Sequence, residues 1–153
     1  MEDTLTKLQF ITMLCDEAAG EASDDNSPEN AEALPEVLSH EPVLKKAFDE
    51  GWIEARDIPE CTWPIKRKDA ARILHMYMQR IRGASDLADI SPAGVLLDLY
   101  DCRTCVNHIA QVFLHGWMDE VIIPSGEKTV RIFDSEASVK KAELLDIKRR
   151  IRV

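Results

Sequence analysis

Three cations stand where helices are expected to begin: Lys7, Arg67 and Lys141. Each follows an apolar residue and a Thr or Lys, and two residues after each comes an acid or amide that opens a helical apolar run. A cation is locally unfavourable at that place, because the N-terminal end of a helix already carries partial positive charge. An anion bound there would be held jointly by backbone N–H groups and the side chain. Arg67 is the strongest of the three candidates, because a planar guanidinium can grip a carboxylate with two parallel bonds. Trp52 and Trp117, each just after a glycine, offer flat apolar faces against which a sugar ring could stack, or else plug the core. Cys102, Cys105 and His108 lie three residues apart in succession, as ligands on one side of a helical turn would. A structural zinc site needs a fourth ligand and no second nearby pair exists, so metal is not expected. A Cys102–Cys105 disulfide is the other reading if the chain is exported. Cys15 and Cys61 sit in apolar settings typical of buried thiols.

The cations belong to a pattern that recurs. Leu5-Thr6-Lys7-Leu8-Gln9 leads into Phe10, Ile11 and Leu14; Ile65-Lys66-Arg67-Lys68-Asp69 into Ala70, Ala71 and Leu74; Val139-Lys140-Lys141-Ala142-Glu143 into Leu144 and Leu145. A second pattern, an apolar helix closing on Gly-Trp, runs from Leu44 to Ile53 and again from Ile109 to Met118. Repeats on this scale bury their apolar faces against one another, so they set the architecture.

These residues resemble the S-layer homology family, whose repeats carry an Ile-Thr-Arg-x-Glu signature and an earlier helix ending in Gly. Phe133 stands six residues before Val139, Pro64 directly precedes Ile65, and Asp89-Ile90 sits where a repeat of that family opens. The resemblance runs from Leu5 to about Ile151. No copy keeps the whole signature: Thr6, Arg67 and Glu143 each retain one element of it. It implies a mainly all-α fold, a pseudo-threefold helical repeat bundle of helix-loop-helix units. It also implies one domain over residues 1–153, with a partial repeat at 1–19, an acidic loop at 20–36, and repeats at 37–83 and 84–153. The family's ligand is secondary cell-wall polysaccharide, often bearing acidic pyruvyl groups.

Composition sets the outer limits. At 153 residues, 45% hydrophobic and 31% charged, the chain has the size and make-up of one globular domain. No apolar run approaches the length of a membrane span. A net charge of -9 argues against nucleic acid as the main partner. The basic run Lys148, Arg149, Arg150, Arg152 reads as cations complementing a helix C-terminus. No nucleophile motif surrounds His40, His75, His108 or His115, and the six glycines form no phosphate cradle, so neither enzyme nor cofactor is expected. Met1-Glu2-Asp3-Thr4 is acidic and no cationic-then-apolar leader follows, which reads as no secretion signal. The expected location is the cell wall if a leader has been removed, and the cytoplasm otherwise.

The elements that must position these residues follow from capping and periodicity. A Thr6/Gln9 capping box starts a helix over about 6–19. Lys66 and Lys140 hold the Thr place and cannot accept those bonds, so their helices start less well capped. Helices are expected at about 42–50, 67–82 (through Ala70, Ile73, Leu74, Tyr77 and Ile81), 91–99, 103–115 and 136–150, with a loop at 57–64. Residues 121–123 and 129–133 can pair as a hairpin around Pro124-Ser125-Gly126. Two functions are carried forward. One is a non-catalytic module that binds anionic cell-wall polysaccharide through Lys7, Arg67, Lys141, Trp52 and Trp117 and anchors a protein to the bacterial envelope. The other is a cytosolic protein–protein interaction module that keeps the fold without sugar binding. Three signature helices share two Gly-type helices, so one side should expose apolar surface that a homodimer, or the loop at 20–36, would cover.

Overall fold

The structure is a computed structural model describing residues 4–21 and 41–151. Among these it holds five α-helices: α1 (Lys7–Glu21), α2 (Glu41–Asp49), α3 (Arg67–Arg80), α4 (Val106–Leu114) and α5 (Lys141–Ile151). One antiparallel hairpin, β1 (Val121–Ser125) with β2 (Lys128–Ile132), lies between α4 and α5 in the chain. The mainly helical expectation and the hairpin hold. The helix expected at 91–99 is instead a pair of 3-10 turns, Ser91–Val95 and Leu99–Asp101, and another 3-10 turn, Arg103–Cys105, leads into α4. Pro92 sits in the first turn, where its missing donor costs nothing, so the residues allow a helix start. The tighter 3-10 turns are decided by the surrounding packing of Ala93, Leu96 and Leu99 in the core. The loop expected at 57–64 is prefaced by a 3-10 turn, Ala55–Asp57. Of the acidic stretch expected as a loop at 20–36, residues 20 and 21 belong to α1, and the rest lies outside the described residues.

The three signature segments meet at their apolar residues. The Leu5 amide donates to the Val139 carbonyl (3.1 Å), the Val139 amide to the Ile65 carbonyl (2.9 Å) and the Ile65 amide to the Leu5 carbonyl (2.9 Å), closing a ring of three bonds. All three side chains are buried. From this ring α1, α3 and α5 set out, each starting at its signature cation. Phe10, Ile11 and Leu14 of α1 join Ala70, Leu74 and Tyr77 of α3, Ile109 of α4 and Ile147 of α5 in a single core. Ile81, expected on the same face of α3, is only partly buried beyond the helix end.

The two Gly-Trp helices end alike. The Trp52 amide returns to the Ala47 carbonyl (3.2 Å) and the Trp117 amide to the Val112 carbonyl (2.9 Å), with Gly51 at φ +86° and Gly116 at φ +80°. This is the six-to-one closure that a left-handed residue after a helix permits, and it turns the following Trp side chain inward. α2 packs on α1 and α4 on α3, whereas the main helix contact of α5 is α1.

Capping differs among the signature helices as their residues require. Thr6 Oγ1 accepts from the Gln9 amide (3.1 Å), and Gln9 Oε1 accepts from the Thr6 amide (2.9 Å). Lys66, at the same place before α3, makes no side-chain cap bond. Thr6→Ala is expected to lower the unfolding free energy by about 1 kcal/mol in a urea titration, the usual worth of a cap. Lys66→Ala, which loses only an exposed ion pair to Glu136, should change it by less than about 1 kcal/mol.

Candidate functional site

Lys7 points inward. The first turn of α1 carries it into a cluster formed by the 3-10 turn at Ala55–Asp57 and the start of α3. Its Nζ donates to Asp57 Oδ1 (2.8 Å) and Glu60 Oε1 (2.5 Å), and Asp69 Oδ2 lies 3.9 Å away. Arg72 holds both oxygens of Asp57 at 2.9 Å. Lys7 is 2% exposed and Asp57 0%. Burial alone would push the Asp57 carboxyl up, but Arg72, Lys7 and the Glu54 amide together hold it down at about 2. The cluster, two cations among three carboxylates, ties α1, the 3-10 turn and α3 together.

Arg67 is likewise occupied. Its Nε donates to the Phe133 carbonyl (2.7 Å), Nη2 to the Asp119 carbonyl (2.5 Å) and Nη1 to Glu143 Oε2, with the guanidinium 4.5 Å from the centre of the Phe133 ring. It is 6% exposed, and burial pushes its pKa below the usual arginine value. The backbone donors at these helix starts are engaged too. The Lys7 and Leu8 amides donate to the Trp63 and Cys61 carbonyls (3.0 and 2.8 Å), and the Arg67 and Lys68 amides to Ala137 and Ser135 (2.8 and 3.0 Å). An anion at the start of α1 or α3 would have to displace these partners. Of the three signature cations, Lys141 alone is exposed.

The remaining candidates separate. Trp52 is buried, donates from Nε1 to Glu50 Oε1 (3.0 Å) and meets Tyr77 edge to face at 5.1 Å. Trp117 is buried at the far end of the core and stacks on His115 at 4.2 Å. Cys102 and Cys105 are joined in a disulfide, and no group of three metal-ligating side chains is arranged around one point among the described residues. Cys15 is buried, with its thiol pushed up to about 11 chiefly by burial, while Cys61 is only half-buried. In the basic C-terminal run, Lys148 lies 3.8 Å from Glu17, and Arg150 holds Asp119 (2.7 and 2.8 Å) and Asp146 (3.1 Å). Those cations are paired with carboxylates as well as lying at a helix C-terminus.

Two features escaped the sequence. His75 and His108, from α3 and α4, meet Nδ1 to Nδ1 at 2.8 Å, and His75 Nε2 lies 2.7 Å from Asp86 Oδ1. Asp86, held below its usual range against burial by His75, Asn107 and Gln79, can only accept, so the proton of that bond sits on His75 Nε2. No local spacing reveals such a pair, because it joins different helices. The other feature is a groove of about 470 Å³ between α1 and α5, lined by Leu8, Met13, Leu144 and Leu145 with Asp16 and Lys148 at its edge. Comparison with protein-family models, with curated proteins and with solved structures finds no match.

The site makes two predictions. His108 is lowered from 6.5 to about 4, first by burial and then by the neighbouring His75 and Arg72, against the opposite pull of Glu54 and Asp86. The unfolded chain therefore binds the extra proton more readily, and stability is full above pH 6.5 and falls as pH drops towards 4. Urea titrations across that window should show the decline, and His108→Gln should flatten it. Asp57→Asn strands Lys7 and Arg72 without their shared carboxylate and is expected to cost on the order of 3–5 kcal/mol in the same assay at neutral pH. Glu136→Gln, which removes only exposed ion pairs, should cost less than about 1 kcal/mol.

Proposed function

We propose that this chain is a non-catalytic protein–protein interaction module, a degenerate S-layer-homology-like bundle of pseudo-threefold design, that pairs with a second copy of itself through the groove between α1 and α5. The observation that carries this reading is the face of α5 on which, among the described residues, no Gly-type helix packs. α1 and α3 each have a Gly-type helix packed on them, while α5 leaves Leu145 61% exposed beside the groove. The ring through Leu5, Ile65 and Val139 and the matched Gly-Trp closures support the repeat architecture. The internal pairing of Lys7 and Arg67 and the burial of both tryptophans favour interaction over sugar binding.

The groove suits a two-fold partner. α1 and α5 run in the same direction, since Leu5 and Val139 bond just before their starts and Glu17 and Lys148 approach further along. A two-fold axis parallel to the helices then sets α1 of one copy opposite α5 of the other. The leucines meet at the centre, and Asp16 faces Lys148 of the second copy. Light scattering across a concentration series should show the mass rise from 17.3 kDa towards twice that value. Leu145→Asp should weaken association by about ten-fold or more, the scale of a central apolar contact. Asp16→Lys and Lys148→Asp should each weaken it, and the double exchange should restore it. A strict monomer at every concentration would overturn the proposal.

The second reading, binding of an anionic cell-wall polysaccharide, is favoured by one specific observation: Lys141 opens α5 with its side chain exposed. Co-sedimentation of the wild-type chain with cell-wall sacculi, lost in Lys141→Glu, would raise it to first place. Wild type left in the supernatant would remove it.

A further inference from the structure

We infer that Cys102–Cys105 is a redox-active disulfide that exchanges with external thiols through Cys102. The bond spans a Cys-x-x-Cys step, closing a loop so short that cross-linking constrains the unfolded chain far less than a long-range bridge would. Both cysteines are half-buried, in contrast to the sequestered Cys15, so an incoming thiol can reach them. The two sulfurs are placed differently. Cys102 lines a surface cavity of about 410 Å³, shared with Lys68, Ile132 and Ser135, which gives an attacking group room beside that sulfur. Cys105 is the N-cap residue of the nine-residue α4. Cys105 makes no side-chain cap bond in the closed disulfide, and a thiolate released at this position lies next to the partial positive charge of the helix start, which favours Cys105 as the leaving group. Thr104 Oγ1, 3.6 Å from Cys102 Sγ, is placed to donate to a Cys102 thiolate once the bond is open.

The exchange balances without any further reagent. A thiolate of a low-molecular-weight thiol or a protein dithiol attacks Cys102 Sγ, forming a mixed disulfide while the S–S bond breaks and its electron pair leaves on Cys105. A second reductant thiolate then attacks the reductant sulfur of the mixed disulfide. Cys102 is released as a thiolate, and the reductant departs oxidised by two electrons. Four carboxylates, those of Asp98, Asp101, Asp134 and Glu136, line the cavity with the single cation Lys68, held 2.5 Å from Glu136. The cavity is therefore acidic and favours an attacking thiol without net negative charge beside its sulfur. Asp98 is tied down by the amides of Phe133 and Asp134 at 2.7 and 2.8 Å, so the loops around the cavity do not depend on the disulfide.

The test uses the full chain in a Cys61→Ser background, which removes the other accessible thiol; Cys15 is buried and slow to ionise. The protein is equilibrated in buffers of varied reduced-to-oxidised glutathione ratio, quenched with a maleimide mass tag and weighed intact, with circular dichroism recorded in parallel. The expected result is two tags taken up reversibly as the ratio rises, with the helical signal unchanged. A bond that stays closed until the helical signal is lost would overturn the proposal. For direction, the mixed disulfide formed on opening the bond is trapped and located. The oxidised chain is mixed briefly with reduced glutathione and quenched with a maleimide, and peptide mass spectrometry should place the glutathione on Cys102 and the maleimide on the released Cys105, in about ten-fold excess over the reverse. Glutathione found on Cys105, or shared equally between the two cysteines, would overturn the assignment to Cys102.

Discussion

The closed ring of backbone hydrogen bonds through Leu5, Ile65 and Val139 organises everything else in this molecule. Each bond joins segments some sixty or more residues apart in sequence, and each apolar side chain beside it is buried. A polar backbone group can enter a core only when it is paired, and the ring pairs these without any sheet. Because three chain segments converge there, three helices leave from one point, and their first turns lie close together. The charge arrangement follows from that convergence. At the starts of α1 and α3 the N–H groups and the cations are satisfied by carbonyls and carboxylates from segments distant in sequence.

This explains why cations occupy positions where helix dipoles disfavour them. Lys7 meets Asp57 and Glu60, and Arg67 meets Glu143 and two backbone carbonyls. In each case the favourable contacts come from a segment distant in sequence and outweigh the modest local cost of the dipole, which is about 0.3–1 kcal/mol when exposed. The buried ion pairs act as register marks. A carboxylate as enclosed as Asp57 tolerates only an arrangement that brings Lys7 and Arg72 to it, so mispacked alternatives are penalised more than the native pair is rewarded. At α5 the signature cation differs: Lys141 is exposed, although Glu143 of the same helix pairs with Arg67, and Leu144 and Leu145 border a groove.

Much of the secondary structure was legible because its signals are local. Thr6 and Gln9 cap α1 reciprocally, Gly51 and Gly116 take the left-handed conformation that ends α2 and α4, and the hairpin pairs Val121 with Ile132 around Gly126. Each is decided within a few residues by hydrogen-bonding geometry or the absence of a Cβ. The 91–99 stretch was misread as one helix because Ser91-Pro92 signals a start and no propensity distinguishes a full helix from successive 3-10 turns.

What the sequence by itself determined is the mainly helical class, the hairpin and the caps that close individual helices, since periodicity, caps and turns are properties of neighbouring residues. Only the tertiary structure decided which way the cations face, that Trp52 and Trp117 lie inside, that His75 meets His108, and that Cys102 bonds Cys105 while His108 turns to another helix. The residue types at those positions allow either outcome. A lysine or tryptophan serves a ligand or a core according to what the rest of the chain sets opposite it, and that depends on contacts made over long sequence distances around the ring.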